Sequence, residues 1–116
     1  MAHSAAYHLF HRAMAERKPV ACLYNGYARA LCPIILGRSG GAEKALVWQF
    51  AGNAEHGRVP GWKCLALSEV ADATLVDAPW HEAPGPHGRP QSCVKEVDLD
   101  VNPNSPYGPR RRMSWQ

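Results

Sequence analysis

Apolar positions at the start of the chain repeat at helical spacing. Leu9, Phe10, Ala13 and Met14 recur every three or four residues, with Tyr7 beside them. The pattern predicts a helix over residues 5–17 with one apolar face. Ser4 stands where an N-cap belongs, and Pro19 forces the end. Beyond Pro19 the pattern becomes that of strands. Val20–Tyr24 and Tyr27–Pro33 flank Asn25-Gly26, the strongest short-range hairpin signal, because both central residues of a type I′ turn need positive φ. This turn pairs Tyr24 with Tyr27 and Cys22 with Arg29. Ile34, Ile35 and Leu36 extend the second strand, and Gly37–Gly41 is expected to be a loop. Ala45–Phe50 and Gly61–Leu67 are the next strands, separated by an irregular Gly52–Pro60 loop. In the later strand Trp62 and Cys64 face one side while Lys63, Leu65 and Leu67 face the other. A short fifth strand is expected at Ala73–Val76.

The punctuation changes after residue 78. Pro79, Pro84, Pro86 and Pro90 exclude regular helix. One further segment, 97–101, alternates Val97, Leu99 and Val101 with Asp98 and Asp100, as an edge strand with an acidic outer face would. Pro103, Pro106 and Pro109 predict an extended tail. The expected organisation is thus a helix and β-domain over 1–78 and a Pro/Gly-rich extension over 79–116. Several short strands joined by turns predict a mainly β fold of small barrel or sandwich type.

Composition refines this picture. The chain has 116 residues, the size of one domain, and its 46% hydrophobic content excludes the disordered class. Charge is unevenly spread. Residues 1–68 carry eight Lys and Arg against three acids, whereas 69–109 carry two against seven, and Arg110, Arg111 and Arg112 make the tip basic. The basic part suits an anionic ligand. Equally, the acidic segment can fold back and neutralise it. No stretch is apolar enough to span a bilayer, and no apolar leader precedes the four cysteines, so a cytoplasmic address and free thiols are expected.

Candidate chemistry is sparse. There is no G-x-S-x-G turn, and Cys22, Cys32 and Cys64 read as small buried hydrophobes, so no enzymatic activity and no cofactor are expected. His81, His87 and Cys93 are a candidate metal set in the Pro/Gly-rich segment, although their spacing fits no familiar zinc pattern. Tyr24, Tyr27, Trp48 and Trp62 are interleaved with Arg29, Arg38 and Lys63, the ingredients with which small barrels bind nucleic acid. Each tryptophan can instead anchor a core, the favoured reading for Trp62. The arginine tip can add phosphate affinity or be a solvated tail.

In order, these features resemble the WYL domain, a small Sm/SH3-like β-barrel. They are the helix ending in Glu16-Arg17-Lys18, the run Val20–Gly26, Arg29 followed by Pro33, the Gly37–Gly41 loop, the strand Ala45–Phe50, and Trp62–Leu67 ahead of Val70. Trp48-Gln49 before Gly52 is similar to a pair found in small stand-alone members. The resemblance spans roughly residues 5–78. It implies a ligand sensor of the kind found in bacterial transcription regulators, without their DNA-reading helices. It implies binding of a nucleotide, single-stranded nucleic acid or other anion by Arg29, Arg38, Trp48, Lys63, Tyr24 and Gln49. Departures bear on the groove. The tripeptide that names the family is absent, with Leu46 in place of its tyrosine. Glu69 replaces a second arginine, and the first basic position is Lys63, which cannot grip phosphate bidentately. The alternative is a structural or protein-interaction module, with a protein partner or a second copy of the chain joined through its strands, whose groove its own acidic segment covers.

Overall fold

A computed structural model describes residues 3–53, 58–84 and 91–102. Helix α1 spans Ala5–Glu16. The strands are β1 (Val20–Tyr24), β2 (Tyr27–Ser39), β3 (Ala42–Gly52), β4 (Gly61–Ala66), β5 (Val70–Leu75) and β6 (Glu96–Asp100). A single 3-10 turn, Leu67–Glu69, joins β4 to β5. The protein is mainly β with an N-terminal helix, as the periodicities predict. The strands form an open antiparallel sheet in the order β4-β3-β2-β1-β5, with β6 alongside β2.

Local chemistry sets the boundaries. The Ser4 hydroxyl accepts the Tyr7 N–H at 3.1 Å, satisfying one of the amides that a helix start leaves over. At the other end Arg17 turns left-handed and Pro19 blocks continuation. The Asn25-Gly26 turn has positive φ at both residues and sets the predicted register, Tyr24 opposite Tyr27 and Cys22 opposite Arg29. The expected Gly37–Gly41 loop is much smaller. Strand β2 continues to Ser39 and reverses on Gly40-Gly41 alone, because two adjacent glycines at φ 60° and 83° suffice for a two-residue turn.

Strand β2 is the spine. Its first half pairs with β1 (Tyr27–Leu31) and its second half with β6 (Ile35–Arg38), while β3 runs along the opposite edge. A bulge between Pro33 and Ile35 lies at the changeover, where a proline is tolerated within a sheet. The extra residue turns Ile34 and Ile35 to the same face. Close approach of β6 requires glycine at position 37. A Cβ there would strike the Glu96 carbonyl and come within 2.7 Å of the Val94 side chain.

The sheet divides two apolar layers. On the inner face Phe10, Met14, Val20, Leu31, Leu36, Val47 and Leu65 pack together, drawing in Val70, Ala73 and Leu75, so helix and five strands meet in one cluster. On the outer face Cys32, Ile34 and Ile35 are covered by Ala83, Val94 and Val97 from the C-terminal segment, with Leu46, Trp48, Phe50 and Trp80 at the margin. The expected strand at 97–101 forms one residue earlier, at 96–100.

The expectation of four free thiols is overturned. Cys64 and Cys93 are not free thiols but form a disulfide, with Cα atoms 5.6 Å apart, within the usual bridging range. Cys64 is therefore not a buried small hydrophobe: it lies exposed on the outer face of β4, where the returning segment brings Cys93 to it. Cys22 and Cys32 are free and buried, as expected.

Candidate functional site

The hairpin register places Arg29 on the inner face, opposite Cys22 and between two tyrosines. Its guanidinium carbon lies 4.9 Å from the Tyr24 ring centroid and 5.9 Å from that of Tyr27, within cation–π range. Arg29 is only 6% exposed, so its charge must be compensated inside the protein. One Nη donates to Gln49 Oε1 at 3.3 Å. Gln49, itself fully buried, uses its amide nitrogen to reach the carbonyls of Ala51 (3.1 Å) and Asn53 (2.9 Å). Tyr24 is fixed in turn, because its hydroxyl accepts the Ala66 N–H at 3.0 Å and ties β1 to β4. Lys63 lies opposite Val47 on β3, and Gly61 opposite Gln49. Strand alternation therefore puts Lys63 on the same face as Val47 and Gln49, one diagonal step away.

Four of the six residues expected to bind ligand, Tyr24, Arg29, Gln49 and Lys63, thus share the inner face. Tyr27 belongs with them, 40% exposed. The Asn-Gly register already placed it opposite Tyr24, so the signal was in the sequence. The constellation offers two cations, two aromatic faces and a carboxamide. It offers no ready nucleophile: burial pushes the Cys22 thiol up to about 11 despite the opposing pull of Arg29, so it is protonated at neutral pH.

The remaining two lie elsewhere. Arg38 is at the tip of the β2–β3 hairpin, where it donates to the Gly41 carbonyl at 3.2 Å and stands 3.7 Å from the Glu43 carboxylate. Glu43 also accepts the backbone N–H and the hydroxyl of Ser4. Burial alone would raise the Glu43 carboxyl, but Ser4, Arg38 and His3 together hold it below its ordinary value. This cluster fastens the helix start to the hairpin. Trp48 faces outward and meets Trp62 edge-on, centroids 5.4 Å apart. Trp62, expected in the core, is 39% exposed, because β4 is an end strand and its outer residues lie at the margin of the covering segment.

Two of the candidate metal residues are engaged elsewhere. His81 stacks on Phe50 with centroids 3.7 Å apart, Cys93 is oxidised, and His87 lies outside the described residues, as do Arg110–Arg112. Among the described residues no three His, Cys, Asp or Glu side chains are placed to hold a metal. No helix among them is long and apolar enough to cross a membrane. The chain matches no family model, curated protein or solved structure, so the functional reading rests on its own geometry.

Proposed function

We propose that the protein is a non-enzymatic binding module, a WYL-like sensor whose curled sheet belongs to the Sm/SH3-like barrel class. Its ligand is a nucleotide, a short single-stranded nucleic acid or a related anion. The observation that carries this reading is the meeting of Arg29, Tyr24, Tyr27, Gln49 and Lys63 on one face. In this reading the Lys63 ammonium contacts the anion, the nearly buried Arg29 guanidinium adds positive charge from beneath, and the exposed Tyr27 ring stacks on a base. Because β4 and β5 are consecutive and joined by one 3-10 turn, and Tyr24 ties β1 to β4, barrel-type curvature is the natural arrangement. Arg38 and Trp48 drop out of the contact set.

Calorimetric titration with mononucleotides and short oligonucleotides at low salt tests the proposal. Binding that weakens with added salt, and that falls roughly tenfold or more in both Arg29→Met and Lys63→Ala, is the expected result. No heat and no thermal shift with any anionic probe at low salt would remove it.

A second reading, a protein-interaction module covered by its own acidic segment, has its own observation. Glu82 pairs with Arg17, and Asp77 with Lys18 at 2.7 Å, so acidic residues of that segment do meet basic residues at the helix end. Binding of anions only after Glu82 and Asp77 are neutralised would favour it.

A further inference from the structure

We propose that the Cys64–Cys93 disulfide is a thiol–disulfide exchange site for a dithiol reductant, which enters by the groove beside β4 and attacks Cys64. The groove, of about 630 Å³, runs between Trp62–Cys64 on β4, Leu46 on β3, and Gln91–Cys93 of the returning segment. It is open to solvent and both disulfide cysteines line it. The two sulfurs are not equivalent. Cys64 is an exposed residue of an end strand, whereas Cys93 is half-buried with its Sγ 3.5 Å from the Ala45 carbonyl. Approach to Cys64 is therefore open while Cys93 is shielded from behind, and access decides which sulfur a thiolate reaches.

The exchange balances. A thiolate of the dithiol bonds to Cys64 Sγ, the Cys64–Cys93 bond breaks, and Cys93 leaves as a thiolate that takes up a proton. The second thiol of the reagent then attacks the mixed disulfide and releases Cys64. The reagent departs as its cyclic disulfide, having given two electrons to the protein. The protonated Cys93 thiol finds an acceptor already placed, the Ala45 carbonyl. The free cysteines do not compete: both are buried, and burial pushes Cys32 as well as Cys22 up to about 11. Release acts locally. Val94 and Val97 remain buried and β6 remains paired with β2, so the residues around Cys93 loosen from β4 and uncover Leu46 and the Trp48–Trp62 pair while the sheet persists.

The test uses the oxidised full chain and dithiothreitol at pH 8 without denaturant, with alkylation and mass measurement over time. Opening at a rate proportional to dithiol concentration, with a change in tryptophan fluorescence and an unchanged far-UV spectrum, is the expected result. Opening at a rate independent of the dithiol and equal to that of global unfolding would overturn the proposal. A second measurement compares Cys93→Ser with Cys64→Ser against an aromatic disulfide reagent. Cys64 should react roughly tenfold faster than Cys93, and equal or reversed rates would show that Cys64 is not the attacked sulfur.

Discussion

The two faces of the sheet are built on different principles. The inner layer is assembled mainly from residues 6–75, elements that follow one another closely in the chain, with Leu99 and Val101 of the returning segment packed against it, and it gathers around Phe10 and Met14. The outer layer depends on a segment that leaves the sheet after β5 and returns over Ile34 and Ile35, held by β6, by buried Val94 and Val97, and by one disulfide. Polar chemistry is divided as well. Arg29 and Gln49 are buried on the inner side, whereas the outer layer carries the sulfur chemistry and the exposed indole. A layer closed by local contacts is costly to open, and one closed by a returning strap can open by itself. The inner face therefore suits a preorganised ligand site and the outer face a responsive one.

The strongest challenge to this contrast is Phe10→Ala, which removes a fully buried ring from the inner cluster. It should cost about 3–5 kcal/mol in urea unfolding and act on the whole domain. An equal global cost from Val94→Ala would erase the distinction between the layers. Next in size, Cys64→Ser combined with Cys93→Ser should cost about 2–4 kcal/mol by releasing the constraint on the unfolded chain. Hydrogen exchange should then rise around residues 91–95 and not in β1, and uniform loss of protection would break the comparison. A smaller effect sits where the layers touch. The Tyr7 hydroxyl donates to the Asp98 carboxylate at 2.6 Å, joining α1 to β6. Tyr7→Phe should cost about 1.5 kcal/mol, measured by thermal unfolding.

The smallest effect concerns pH. The Glu43 carboxyl is lowered in the folded protein, so its contribution to stability is present above the ordinary carboxylate value of about 4.3 and is lost as pH falls through the folded value. Between pH 6 and 3 the urea midpoint should fall less in Glu43→Gln than in the parent chain. An unchanged slope would show that Glu43 does not fasten the helix to the hairpin.

The elements were legible where a single local signal decides them. Ser4 and Pro19 bounded the helix, and Asn25-Gly26 gave the register that brings Cys22 to Arg29 and Tyr24 to Tyr27. Lys63 was named from the interleaving of basic and aromatic residues and Gln49 from the resemblance, and alternation along β3 and β4 places them on one face with Arg29. Alternation also separates Trp48 from its neighbour Gln49, whereas Arg38 could not be sorted from sequence, because its distance from Arg29 depends on β2 running on through the bulge after Pro33 to the hairpin tip. The disulfide was missed for a related reason. Its cysteines are 29 residues apart with no spacing motif between them, and their meeting depends on how β6 crosses β2.

That crossing has a consequence for oxidative folding. Glycine 37 is the place on β2 that admits the backbone of β6, since any side chain there would meet the Glu96 carbonyl. It therefore indexes the incoming strand, and sliding β6 along β2 would set that carbonyl against a residue bearing a side chain. With β6 indexed, Cys93, three residues ahead of Glu96, is delivered to Cys64 at the sheet margin, while Cys22 lies on the opposite side of the sheet and Cys32 is buried within the outer cluster. A residue with no side chain thus selects one cysteine pairing and makes the native disulfide a product of strand placement.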